Sequence, residues 1–132
     1  MPFDWNNFLE VAERLSTQQD EASLRIAVSR AYYCIYNLAK KRAVSNGYQR
    51  KKGESSHAQM WRVYSLSPDS ICKKLSTIGE RLKEKRERAD YEDQEYVRVD
   101  EEAKKAIADA RSFIRQLDGL ALRLPNPRSM RQ

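Results

Sequence analysis

The chain has one histidine, two cysteines, four glycines and four prolines in 132 residues. Each shortage excludes something. A single histidine rules out a two-histidine acid–base mechanism within one chain. Cys34, Cys72 and His57 fall one short of a zinc tetrad and lack metal-ligand spacing, so no metal is expected. Both cysteines sit on apolar helical stretches, where a reduced, buried thiol is expected rather than a disulfide. Gly47, Gly53, Gly79 and Gly119 are too scattered for a phosphate-cradling loop, and no cofactor is expected. So little glycine and proline favours long helices over many short strands. The longest apolar-rich run, "RIAVSRAYYCIYNLAKK", is interrupted by Arg30 and Asn37 and is too polar to span a bilayer. The opening "MPFDWNNFLE" has neither a basic segment nor an apolar signal core, so a cytoplasmic protein is expected.

What is present is charge. Hydrophobic residues make up 40% and charged residues 33% of the chain, which suits one soluble domain over residues 1–132 with a continuous core. The formal net charge is +6, pointing weakly toward anionic partners. Its distribution says more. Residues 40–52, "KKRAVSNGYQRKK", hold six basic residues and no acid; from Asp90 to Glu102 there are seven acids against Arg98 alone. The chain is electrically polarised.

Periodicity predicts an all-α bundle of four main helices and one short helix. Asp4 caps the first, with Trp5, Phe8, Leu9, Ala12 and Leu15 on one face. The second carries Leu24, Ala27, Val28, Ala31, Tyr32, Ile35, Leu38 and Ala39 inward and ends at Asn46-Gly47. Ser55 or Ser56 starts a short helix through Met60, Trp61 and Tyr64. Ser67 as cap and Pro68 in the first turn open a fourth helix, with Ile71, Leu75, Ile78 and Leu82 on one stripe, running to about Arg88. Asp100 caps the last helix, which buries Ala103, Ile107, Ala110, Ile114, Leu117 and Ala121 until Pro125 stops it. The tail, about 125–132, is expected to fray.

Three stretches carry a resemblance. "SRAYYCIYNLAKKRAV" (29–44), "GESSHAQMW" (53–61) and "ERLKEKRERADYED" (80–93) are similar, in order and spacing, to the signatures of HEPN domains. The resemblance implies an antiparallel helical bundle that commonly forms a homodimer. It also implies a toxin–antitoxin or defence setting, often beside a nucleotidyltransferase-like partner. Many members are metal-independent ribonucleases whose motif is an arginine, four to six residues, then a histidine. Here the arginine matches Arg86, but the first position of the histidine window is Tyr91, followed by Glu92 and Asp93. The chain looks closest to the "ADY" form, which lacks that histidine.

Cleaving RNA without metal needs a base, a stabiliser of the phosphorane and an acid. Arg86 suits the second task, because a guanidinium can hold two phosphate oxygens in a fork. Tyr91 is a poor base, since a phenol with a pKa of about 10 is scarcely ionised at neutral pH, although it can donate a hydrogen bond. His57 has the only side chain with a natural pKa near neutrality. Arg86, Tyr91 and His57 are therefore the catalytic candidates. Arg30, Asp90, Tyr33, Lys51 and Lys52 are the candidates for binding RNA or a nucleotide. Arg86 and Asp90, at i and i+4, can equally form a plain ion pair, and Arg30, between apolar neighbours, is expected to seek Asp90. Tyr32 is expected in the core, with Tyr33 and Tyr36 toward a groove or dimer face. Three functions stay open: RNA, nucleotide or partner binding without catalysis; a metal-independent ribonuclease; and a purely structural protein–protein adaptor.

Overall fold

A computed structural model describes residues 2–120. The expected core position Ala121, the stop at Pro125 and the tail 125–132 lie outside the described residues. The chain forms five helices: α1 (Asn6–Ser16), α2 (Glu21–Ser45), α3 (Ser56–Leu66), α4 (Ser70–Tyr91) and α5 (Val99–Asp118). No strand occurs among the described residues, and none of their helices is long and apolar enough to cross a membrane. The architecture is the expected helical bundle, but α1 is as short as α3, at 11 residues each.

The 25-residue α2 lies at its centre, packed against α1, α4 and α5, while α3 leans mainly on α4. This explains why α2 has no clean polar side. Ala27, Ala31, Ala39 and Ala43 are sealed on it and allow neighbours to approach closely, while Val28, Tyr32, Cys34 and Ile35 fill the gaps. Trp61 and Tyr64 of α3, Leu75 and Leu82 of α4 and Phe113 of α5 complete the core. Both cysteines are buried and form no disulfide among the described residues, and burial pushes the Cys34 thiol up to about 12, which makes it inert.

Several helix ends follow the local chemistry. Asp4 Oδ1 accepts the Asn6 backbone N–H at 3.0 Å, and Asp20 Oδ2 accepts that of Ser23 at 2.9 Å. Ser55 caps α3, and Gly47, at φ +96°, turns the chain out of α2. Two starts differ from expectation. The cap of α4 is Asp69, whose Oδ1 accepts the Ile71 N–H at 2.8 Å. Ser67 instead closes α3 in an extended conformation, as a residue before proline prefers. Helix α5 begins at Val99, not after Asp100, behind Arg98 in the left-handed region at φ 60°. Burying Tyr96 and Val99 sets that start, and Asp100 falls inside the first turn with Glu101 and Glu102, where carboxylates still suit the helix dipole.

The end of α4 matters most for function. It runs to Tyr91, one turn past Arg88, so "ADY" is helical rather than a turn. Arg25 of α2 fixes that end. Its Nη1 donates to the carbonyls of Glu92 at 2.6 Å and Ala89 at 3.4 Å, its Nη2 to that of Gln94 at 2.6 Å, and its Nε to Glu21 at 2.9 Å. A guanidinium across the final carbonyls satisfies acceptors the helix cannot satisfy itself. Arg25→Ala is expected to cost about 2 kcal/mol and to speed amide exchange selectively over residues 89–96, which exchange mass spectrometry would read. Uniform exchange across the chain would contradict this local role.

Candidate functional site

Helix α2 presents Arg30, Tyr32, Tyr33 and Tyr36, α3 presents His57 and Trp61, and α4 presents Arg86, Asp90 and Tyr91. The fold brings most of these together. The Arg86 guanidinium carbon lies 5.4 Å from the Tyr33 ring centre, 5.6 Å from that of Tyr32 and 5.9 Å from that of Tyr91. Such cation–π contacts hold a charge in apolar surroundings without using its N–H donors. Arg86 is only 7% exposed. Its one ionic partner among the described residues is Asp90, with Nη1 3.6 Å from Oδ2, beyond hydrogen-bond length. Asp90 Oδ2 also accepts weakly from the Ser29 hydroxyl at 3.4 Å. No protein acceptor among the described residues takes a hydrogen bond from Arg86, and its Nε is fully buried without one. The two Nη groups are not sealed and carry no hydrogen bond to the described residues, so they remain available to an outside acceptor.

The expected Arg30–Asp90 pair is not formed. Asp90 is one turn after Arg86 on the same helix and is taken by it, while Arg30 lies over Phe8 of α1 at 5.1 Å and Tyr33 at 5.7 Å. Arg30 forms no ion pair among the described residues. Half-buried Tyr33 thus has a guanidinium carbon within 6 Å on two sides, Arg30 and Arg86. Tyr36, expected toward a groove, is buried beneath the His57 ring, the two stacking at 4.0 Å and 22°. Tyr91 ends α4 with 74% of its surface exposed.

His57 is neither a cap nor a free surface residue. Its Nδ1 lies 2.6 Å from the Tyr32 hydroxyl, and that same oxygen accepts the Trp61 Nε1–H at 3.2 Å. Burial, then the positive charges of Arg86 and Lys83, hold its pKa below the ordinary histidine value, so it is neutral at pH 7. Burial raises the Tyr32 hydroxyl far above a normal phenol, leaving it protonated. Periodicity assigns Tyr32 to the core, which is where it lies. That it joins Trp61, His57 and Arg86 in one cluster is invisible in spacing; the only signal is a phenol at an inward position, which needs a polar partner.

Lys51 and Lys52 stand apart from the cluster. Lys51 is fixed through its backbone, its N–H donating to Gln59 Oε1 at 2.8 Å and its carbonyl accepting from Gln59 Nε2 at 2.7 Å, while both lysine side chains face solvent. The basic loop is not wholly unopposed, since Glu54 pairs with Arg62 and reaches Lys51 at 4.0 Å. Among the described residues no group of His, Cys, Asp and Glu is arranged to hold a metal ion.

Among known proteins, the family model of the HEPN domain matches residues 6–120, which include every helix and the whole cluster. No curated protein matches the chain. No solved structure matches it either. With that match over nearly the full length, on a helical bundle, the chain belongs to the HEPN domain family.

Proposed function

We propose that this chain binds RNA or a nucleotide through a phosphate held at Arg86, in the cytoplasm and in a toxin–antitoxin or defence setting. One observation carries the reading: Arg86 is buried among three aromatic rings, with five N–H donors and no protein hydrogen bond. A phosphate oxyanion supplies the acceptors such a fork requires. Asp90 orients the guanidinium, Arg30, with no ion pair among the described residues, adds a second positive charge, and half-buried Tyr33 and exposed Tyr91 offer rings for a base. Lys51 and Lys52, outside the cluster, raise the long-range attraction. A homodimer and a nucleotidyltransferase-like partner belong to the same proposal, supported by family membership alone.

The rival reading is a metal-independent ribonuclease, favoured by the approach of His57 to Arg86 around Tyr32. A labelled RNA pool incubated in EDTA with wild type, Arg86→Ala and His57→Ala separates the two. The expected result is intact RNA with wild-type protein, together with binding that weakens steeply with salt; losing one phosphate contact lowers the log–log salt slope by about 0.7 on a single strand. Cleavage by pure wild type, abolished in a normally helical Arg86→Ala, would establish the enzyme instead. Neither cleavage nor affinity would leave the adaptor.

A further inference from the structure

We infer that His57 is locked as the neutral Nε2–H tautomer by a hydrogen-bond relay from Trp61 through Tyr32, so that it serves the Arg86 site as a donor and not as a base. The relay has one consistent direction. An indole N–H can only donate, so the Tyr32 oxygen accepts from Trp61 Nε1. The single proton on that oxygen then needs an acceptor, and the only one within reach among the described residues is His57 Nδ1 at 2.6 Å. With Nδ1 accepting, the imidazole proton sits on Nε2. The opposite tautomer would aim two donors at the Tyr32 oxygen and strand its buried hydroxyl proton, a cost of about 1–3 kcal/mol. Tyr32 is fully buried, so water does not relieve that conflict.

The surroundings keep the ring neutral. Tyr32, Tyr33 and Tyr36 pack against it from α2, where Lys40 adds a positive charge, and Arg86 and Lys83 of α4 oppose protonation, with Glu87 alone favouring it. Nε2 makes no hydrogen bond with the described residues and is not among their sealed polar atoms, so its N–H is open to an outside acceptor. Together with Arg86 this makes a set of donors suited to an oxyanion and short of the base that RNA cleavage needs. This second half rests on the phosphate reading; the tautomer does not.

Because His57 is the chain's one histidine, long-range proton–nitrogen correlation NMR of the whole protein reads it without assignment. At neutral pH the expected pattern is a protonated Nε2 and a bare, hydrogen-bonded Nδ1, and Tyr32→Phe should release a mixture of tautomers. A wild-type Nδ1–H pattern, or no change in Tyr32→Phe, overturns the relay. For the donor role the probe is a short single-stranded RNA, which should shift the Nε2 signal. His57→Ala should lose about tenfold in affinity, and His57→Gln, whose amide N–H lies near the place of Nε2–H, should stay within about twofold of wild type. Equal loss in both variants overturns the donor role. RNA that fails to bind wild type at all sinks the phosphate reading and the donor role together, while the NMR pattern still decides the relay.

Discussion

Arg86→Met is expected to leave the protein as stable as wild type, or slightly more so, while lowering affinity for a short single-stranded RNA by about 30- to 100-fold. The two halves have one cause. The Arg86 side chain is 9% exposed, which a charge tolerates only with good partners, and its one ion pair among the described residues is long and shared with solvent on the Asp90 side. Methionine fills similar volume, lies well against the Tyr32 and Tyr33 rings, and removes a poorly satisfied charge. Asp90 keeps 30% of its side chain exposed, so losing its partner does not strand it. A forked, charge-assisted contact to phosphate contributes about 2–3 kcal/mol, hence the expected loss of affinity. Denaturant titration and RNA anisotropy measure the two effects on one sample. If Arg86→Met loses several kcal/mol, the arginine is there to hold α4 against α2, and the ligand site fails with it.

Gly79→Ala is expected to destabilise the protein by about 2 kcal/mol, against the usual sign of that substitution within a helix. Alanine should gain about 1 kcal/mol from helix propensity. At this position, however, a Cβ would stand 2.4 to 2.5 Å from three carbons of the Trp61 ring. Trp61 has nowhere to retreat, being fully buried between Tyr32, Tyr36, Tyr64 and Phe113. Overpacking of that severity outweighs propensity. Trp61→Ala should cost about 4 kcal/mol by leaving a large cavity, and in that background, with the clash gone, Gly79→Ala should recover its propensity gain of about 1 kcal/mol. Urea midpoints of the two single variants and the double variant give the coupling. Additive losses would mean that α4 shifts away from α3 freely and that this contact is loose.

The same contact shows where sequence reading stops. Gly79 breaks an otherwise regular helical stripe, and nothing nearby explains it; the reason is an indole 18 positions earlier. Ile71 and Ile78, placed by spacing on the inward stripe of α4, are exposed and half-buried respectively, while Cys72, Ser76 and Gly79 face inward. Leu75 and Leu82 of that stripe are fully buried as spacing predicts and Ile78 packs against the core, so the inward face departs from the stripe mainly at Ile71. Cys72, Ser76 and Gly79 are small and let α3 approach, and apolar character alone cannot reveal that.

The helices, the end of α2 at Asn46-Gly47, a serine at the start of α3 and the lack of a histidine after Arg86 were all determined by the sequence alone. These depend on interactions between residues up to about four apart, where spacing and residue type suffice. The tertiary structure alone decided that Arg86 is left without a hydrogen bond among the described residues, that Arg30 turns toward α1 rather than Asp90, and that Arg25 fastens the end of α4. It alone joined His57 to Tyr32 across 25 residues and Trp61 to Tyr32 across 29. Contacts of that range are chosen when whole helical faces compete for burial, and a side chain's partner is then whichever group the best packing brings near.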